Sequence, residues 1–308
     1  MSAAGYSHTS TTGAAWAAPV ADEPVEAVVT IPGSKSLTNR KLVLAALSDA
    51  PSTLHAPLHS DDSARMIDAL RALGVTIEAI DGDGEFGPDL QITPPARLRG
   101  DTVIDCGQAG TVMRFVTPLA GLATGEVTLT AHESALHRPM GVMIKALRDV
   151  GVDIDDGGRW ALPFVVHGHG HVRGGEVQID ASSSSQFVSG LLLAAPRFDV
   201  GLHLIHTGER LPSLPHIDMT IEALARRGVH VEHPQPNEWL VPASPLRGRD
   251  TAIEPDLSNA APFLAAALVT GGHVSVPGWP ASSTQPGALL TDILTVLGGR
   301  SSRRGGVL

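Results

Sequence analysis

Apolar and polar positions repeat along this chain in four stretches that end alike. They are Leu70-Arg71-Ala72-Leu73-Gly74-Val75-Thr76-Ile77, Leu147-Arg148-Asp149-Val150-Gly151-Val152-Asp153-Ile154, Leu224-Ala225-Arg226-Arg227-Gly228-Val229-His230-Val231 and Leu294-Thr295-Val296-Leu297-Gly298-Gly299. Gly74, Gly151 and Gly228 fall 77 positions apart, and Gly298 follows 70 later. Helical spacing before each glycine and alternation after it predict a helix closed by a left-handed residue and followed by a strand. Working back from each glycine, an Ala/Leu-rich helix, a short alternating strand, a loop and a second helix recur in the same order. The strands expected there are Thr53–Ala56, Glu126–Thr130, Gly201–Ile205 and His273–Val276, with further strands at Val28–Ile31, Asp89–Ile92 and Trp239–Val241. The unit therefore reads strand-helix-strand-helix-strand-strand, an α/β repeat that buries helices against sheets and turns equivalent helix ends toward equivalent places. Three units fill residues 33 to 250 and a fourth starts near Ile253. After Gly299 the pattern predicts a strand, yet Arg300 to Leu308 shows no apolar alternation, which reads as a fragment or a frameshifted end whose last helix lacks packing partners.

With 308 residues and 43% apolar content, the chain can bury one large core or two ordinary ones. No apolar run approaches the ~18 residues of a membrane span. The single Cys106 excludes an intramolecular disulfide and a multi-cysteine zinc site, and fits a reducing cytoplasm. A formal charge of −10 argues against a general nucleic-acid binder, so an anionic ligand would need local cations. Residues 1–22 are rich in Ala, Ser and Thr and the first basic residue is Lys35, which predicts a disordered extension rather than a targeting peptide. Lysine occurs only at 35, 41 and 145. Lys35 thus either does something only lysine does, or follows a compositional bias.

Each unit opens its first helix with a different set of anion-reading groups. Pro32-Gly33-Ser34-Lys35-Ser36-Leu37-Thr38-Asn39-Arg40 packs a glycine, hydroxyls, an amide and two cations around a strand-to-helix junction, where free N–H groups and the helix dipole attract phosphate or carboxylate. It lacks the P-loop spacing, and a capped helix with two solvated cations is the equal alternative. The second set is Gly107-Gln108-Ala109-Gly110-Thr111 with Arg114, and the third is Ser182 to Ser185 with Gln186. Helix capping would account for one of those serines, not four. Arg138, before Pro139, adds a cation at another helix start. His167, His169 and His171 share a face if extended, which reads as a polar strand face rather than a metal site, and Cys106 reads as a buried small hydrophobe.

Taken in order, PGSKSLTNR at Pro32 to Arg40, CGQAGTVMRF at Cys106 to Phe115, HRPM at His137 to Met140, SSSSQFVSGLLLAAP at Ser182 to Pro196, LPSLPHIDMT at Leu211 to Thr220 and EPDLSNAAPFLAAALVTGG at Glu254 to Gly272 resemble the 5-enolpyruvylshikimate-3-phosphate synthase family. The resemblance runs from about Ile31 to Gly298. It implies the enolpyruvyl transferase fold, repeated βαβαββ units in two domains (an inside-out α/β barrel). Residues 35–250 would be the complete three-unit domain, and 23–34 with 251–308 an incomplete first domain. The activity implied is transfer of the enolpyruvyl group of phosphoenolpyruvate to shikimate 3-phosphate with loss of phosphate, in the cytoplasm, by a monomer, without cofactor or metal and without nucleic-acid or membrane partners.

Carried over residue by residue, the resemblance gives Lys35 contact with both substrates and Ser36 and Arg40 contact with the phosphate ester. Ser184, Ser185, Gln186 and Ser213 would hold shikimate 3-phosphate, with Gln186 also near the enolpyruvyl group, and Gly110 and Arg138 would form the phosphoenolpyruvate site. Gln108, Arg114 and His216 are further ligands implied less directly, since Gln108 stands where many members have Asn and His216 where some have Tyr. The resemblance puts the family's acid and base residues beyond this chain's last residue, so none is expected within it. The alternatives are an inactive fragment that only binds shikimate 3-phosphate, or a relative of UDP-N-acetylglucosamine enolpyruvyltransferase. Against the latter, no cysteine stands between Ala131 and Met140, where that family commonly carries its reactive one.

Overall fold

A computed structural model describes residues 20–308, so nearly all of the expected 1–22 extension lies outside the described residues. The first element of the described residues is β1 (Glu26–Val28). The first unit holds α1 (Lys35–Ala46), β2 (Ser52–His55), α2 (Asp61–Ala72), β3 (Thr76–Ile80) and β4 (Asp89–Thr93). The second holds β5 (Thr102–Asp105), α3 (Gly110–Leu122), β6 (Thr124–Thr130), the short α4 (Glu133–Leu136), α5 (Gly141–Asp149), β7 (Asp153–Asp155) and β8 (Phe164–His169). The third holds β9 (Gly175–Ile179), α6 (Gln186–Ala194), β10 (Leu202–His206), α7 (Leu214–Ala225) and β11 (Glu238–Val241). Then come β12 (Thr251–Ala252), α8 (Ala261–Thr270), β13 (His273–Ser275) and α9 (Leu290–Val296).

The repeat is visible in the sheets, whose orders are β12-β2-β4-β3, β5-β6-β8-β7 and β9-β10-β11. In each, the strand after the first helix lies between a parallel neighbour and an antiparallel one. Each unit's second helix closes the same way. Gly74, Gly151, Gly228 and Gly298 have φ of 93°, 98°, 90° and 96°. The next residue's N–H reaches back to the carbonyls of Leu70, Leu147, Leu224 and Leu294 at 2.8 to 3.1 Å. This is a Schellman closure, and a Cβ would strain each of those backbones.

Two expected strands differ. The strand expected at Val28–Ile31 is β1, at Glu26–Val28, and it pairs in parallel with β13. Its alternating Val25, Ala27, Val29 and Ile31 pack into a small second core with Leu257, Leu264, Val274 and Trp279. The leading place in the first sheet is taken from the far end of the chain by β12, Thr251 lying opposite Leu54, while Ile253 enters the main core. In the third unit the segment after Gly228 makes only an isolated bridge between Glu232 and Leu240, since Pro234 cannot donate to a ladder.

The three first helices are sealed in the main core. Every residue of α1 from Leu37, of α3 from Val112 and of α6 from Phe187 is buried, and the three pack against one another. A helix buried all round needs no polar face, so their apolar residues do not follow a single stripe. The main and small cores meet where Ile31–Ser34 crosses Glu254–Asp256. There Ser34 N donates to Glu254 O (2.8 Å) and Asp256 N to Pro32 O (2.9 Å). In the small core α8 buries only Leu264, and α9 buries none of its residues.

The three histidines do not share a face: β8 ends at His169, Gly170 turns at φ 81°, and His167 and His171 pair separately with Glu126 and Asp199. Among the described residues no group of three or more His, Cys, Asp or Glu is placed to hold a metal. Nor is any described helix long and apolar enough to cross a membrane.

Candidate active site

Lys35, Gly110 and Gln186 occupy the same place in the three units, the first residue of α1, α3 and α6. The residues just before them, Ser34, Ala109 and Ser185, provide no side-chain cap. Three helix N-termini, each with the positive dipole end, are thus presented by helices that pack together; the first N–H is taken by Asp256 Oδ2 at Lys35 (3.3 Å) and by Ser184 Oγ at Gln186 (3.2 Å).

At the first mouth, Lys35 and Ser36 line a cleft of about 600 Å³ with His216, Asp256, Asn259 and Gln285. The half-exposed Lys35 ammonium pairs with Asp62 at 3.1 Å. Arg40 departs from the expectation of a second cation open to the same ligand. It is 1% exposed. Its Nε donates to Thr220 Oγ1 (2.8 Å), Nη1 to the Ser36 carbonyl (2.9 Å), and Nη2 to Ser189 Oγ (3.2 Å) and the His216 carbonyl (2.8 Å). Its guanidinium lies 5.3 Å from the Phe115 ring centre. With no carboxylate among these partners, burial lowers its pKa to about 9.

The second mouth holds the densest charge. A Cβ on Gly110 would lie 2.5 Å from Arg114 Nη1, 3.0 Å from Arg138 Nη1 and 3.7 Å from Gln186 Oε1, so the bare glycine brings these three side chains to one point. Arg114 Nη1 donates to the Gly110 carbonyl (3.1 Å), Arg138 Nη1 to the Gln108 carbonyl (2.8 Å), and Gln186 Nε2 to Thr111 Oγ1 (3.5 Å). Arg114 also lies 5.4 Å from the Phe187 ring centre, and its buried Nε has no partner among the described residues. Burial, and then the charge of Arg138, lower the Arg114 pKa. Two guanidiniums that repel each other create a place where an anion is worth more than it is in water.

Around the third mouth, Ser184 is half-buried and its Oγ accepts from Gln186 N (3.2 Å), while Ser185 is buried. Ser213 precedes α7 in the left-handed region (φ 57°, ψ 55°), and its hydroxyl makes a short hydrogen bond with His216 Nδ1. Burial, and then the charge of Arg40, push the His216 pKa down.

Thus Lys35, Ser36 and His216 meet in one cleft, Gly110, Gln108, Arg114, Arg138 and Gln186 at a second point, and Ser184 and Ser185 flank Gln186. Arg40 ties the helices together underneath. Sequence reasoning missed Asp62, Ser189 and Thr220. Asp62 had a signal, since Ser60 and Ser63 form a capping box that places it in the first turn of α2. The buried hydroxyls had none.

Among solved structures, an EPSP synthase from Acinetobacter baumannii superposes with a TM-score of 0.74 over 92% of this chain and 64% of its own, at 22% identity. An enolpyruvyl transferase from Streptomyces tendae does so with a TM-score of 0.67 over 93% and 65%, at 16% identity. At that identity the likeness carries the fold, the enolpyruvyl transferase fold. The 3-phosphoshikimate 1-carboxyvinyltransferase of Kocuria rhizophila is 52% identical over 95% of this chain and 67% of its own length. That of Mycobacterium ulcerans is 49% identical over 92% and 64%. The chain therefore spans about two thirds of the length of these curated relatives. Since the family profile of EPSP synthase (3-phosphoshikimate 1-carboxyvinyltransferase) also matches residues 20–305, this chain belongs to that family.

Proposed function

We propose that this chain serves 3-phosphoshikimate 1-carboxyvinyl transfer: the 5-hydroxyl of shikimate 3-phosphate adds to phosphoenolpyruvate and inorganic phosphate leaves. The observation that carries this reading is the convergence of Arg114, Arg138 and Gln186 on the bare N-terminus of α3. It lies beside two equivalent helix mouths that carry Lys35 and the serines. Two polyanionic substrates need such an arrangement, because their mutual repulsion is offset only by converging cations and oriented N–H groups in a partly dried cleft.

In this reading phosphoenolpyruvate lies against Gly110, between Arg138 and Gln186, with Arg114 adding charge from behind and Gln108 at the edge. Shikimate 3-phosphate is held by Ser184, Ser185, Gln186 and Ser213, with Ser36, His216 and the one Arg40 N–H that has no described partner. Lys35 stands between the two substrates. The 35–250 segment acts as the shikimate 3-phosphate-binding domain, and 23–34 with 251–308 belongs to the domain opposite. Addition across the enol ether also calls for a proton donor and acceptor.

Two measurements test this. Calorimetric titration with shikimate 3-phosphate is expected to show one saturable site, and no heat at any concentration refutes the binding reading. Phosphate release with both substrates is expected above the background of either alone. Binding without release would leave the chain a substrate-binding unit and refute turnover by it.

A further inference from the structure

Beneath the three mouths, four residues from three helices form a closed polar cluster, of which the substrate reading uses Arg40 and His216 but neither Ser189 nor Thr220. Arg40 of α1 donates to the hydroxyls of Ser189 on α6 and Thr220 on α7, and to the His216 carbonyl on α7. Both hydroxyls in turn donate to that same carbonyl, Thr220 at 3.1 Å and Ser189 at 3.3 Å. Ser189 and Thr220 are fully buried. The partners lie 149 to 180 positions from Arg40 in the chain, so no local preference creates the cluster. It also leaves the guanidinium with almost no freedom. Four of its five N–H groups are committed, and one on Nη1 remains without a described partner.

An arginine surrounded by neutral acceptors is costly to bury, and a core built for stability alone would fill this place with apolar side chains. What the cluster supplies instead is geometry. It joins the helices that begin at Lys35, at Gln186 and just after Ser213, within one or two turns of those residues. We infer that Thr220 and Ser189 are positioning residues for the anion site. They fix the orientation of Arg40, and through it the direction of its one free N–H and the spacing of the α1, α6 and α7 mouths. Neither touches substrate. The inference rests on the substrate assignment above and names what sets its geometry.

The test compares the wild-type chain with Thr220→Val, which keeps the shape and removes the oxygen, and with Thr220→Ser, which restores it. Two readouts are taken: calorimetric affinity for shikimate 3-phosphate, and the Arg40 Nε–Hε resonance in an ¹H–¹⁵N spectrum. Thr220→Val is expected to weaken binding about tenfold, the usual worth of a hydrogen bond to a charged group, and to move the resonance. Thr220→Ser is expected to return both to near wild type. Affinity in Thr220→Val within about twofold of wild type, or a loss that serine does not rescue, overturns the inference. Should Thr220→Val fail to fold, Ser189→Ala carries the same measurements, with about a threefold loss expected for the longer bond; unchanged affinity overturns the inference there. If the wild-type chain binds no shikimate 3-phosphate, the substrate assignment fails by itself. The resonance then decides the cluster, and no movement in Thr220→Val overturns it.

Discussion

Arg114 Nη1 sits 2.5 Å from where a Cβ on Gly110 would be, inside any real carbon contact. The glycine is therefore required by the arginine, not by its own backbone, which has no left-handed φ. Arg138 Nη1 at 3.0 Å closes the other side. Gly110→Ala pushes the ends of two flexible side chains away rather than breaking packed backbone, so the fold should survive with little change in unfolding midpoint. Affinity for phosphoenolpyruvate should fall by about tenfold, the scale of one displaced charged contact, while shikimate 3-phosphate affinity changes much less. Equal losses for both ligands would refute the assignment of this point to phosphoenolpyruvate.

Arg114 should show opposite effects on stability and binding. It is 8% exposed, its Nε has no partner among the described residues and it faces another guanidinium, so the folded chain carries an uncompensated cost. Arg114→Met keeps the volume against Phe187 and removes that cost, which for one unsatisfied buried group is about 1–3 kcal/mol. Chemical denaturation should show the variant at least as stable as wild type, while titration shows phosphoenolpyruvate binding weakened by about tenfold or more. A less stable variant that binds normally would make Arg114 a structural residue.

How far this arrangement is legible in the sequence depends on which features are enforced locally. Gly74, Gly151, Gly228 and Gly298 could be read because a left-handed helix end selects glycine residue by residue. The mouths at Lys35, Gly110 and Gln186 could be read because each follows a break from strand to helix. The partners of β1 and β12 could not, since two short apolar alternations are interchangeable until the crossing at Gly33 and Pro255 assigns each to a core. The burial of Arg40 was not legible for a related reason. Helical spacing places it one turn above Lys35, but its direction is set by hydroxyls at 189 and 220 that no local pattern marks.

Cys106 is expected to be inert in the native chain. It is fully buried, and desolvation reinforced by Asp105 pushes its thiol up to about 12. At pH 8 only about one thiol in ten thousand is ionised, and the thiolate is the reactive species. Iodoacetamide at that pH should leave the folded protein unmodified by mass spectrometry and label it at the rate of unfolding. Prompt stoichiometric labelling would refute the buried environment.

Lys41 makes the pH dependence of stability testable, with a definite sign. It is 7% exposed on α1 and makes no hydrogen bond or ion pair among the described residues. Burial first, then the charges of Arg226 and Arg227, lower its pKa from 10.5 to about 8, against smaller opposing contributions from Glu222 and Glu254. The folded state thus releases this proton before the unfolded state does. Below pH 8 both states are protonated and the full cost of the buried ammonium is felt. Between about 8 and 10.5 the unfolded chain binds more protons, so this residue's contribution to stability rises with pH. At 1.36 kcal/mol per pKa unit the relief is on the order of 3 kcal/mol. Lys41→Met removes the charge while keeping the stem, so it should be more stable than wild type at pH 7 by up to that amount. The gap should close as pH rises through the window, followed by denaturant unfolding at half-unit steps. A constant gap, or a less stable variant at pH 7, would mean that Lys41 is paired with Glu222 or Glu254 strongly enough to offset its burial.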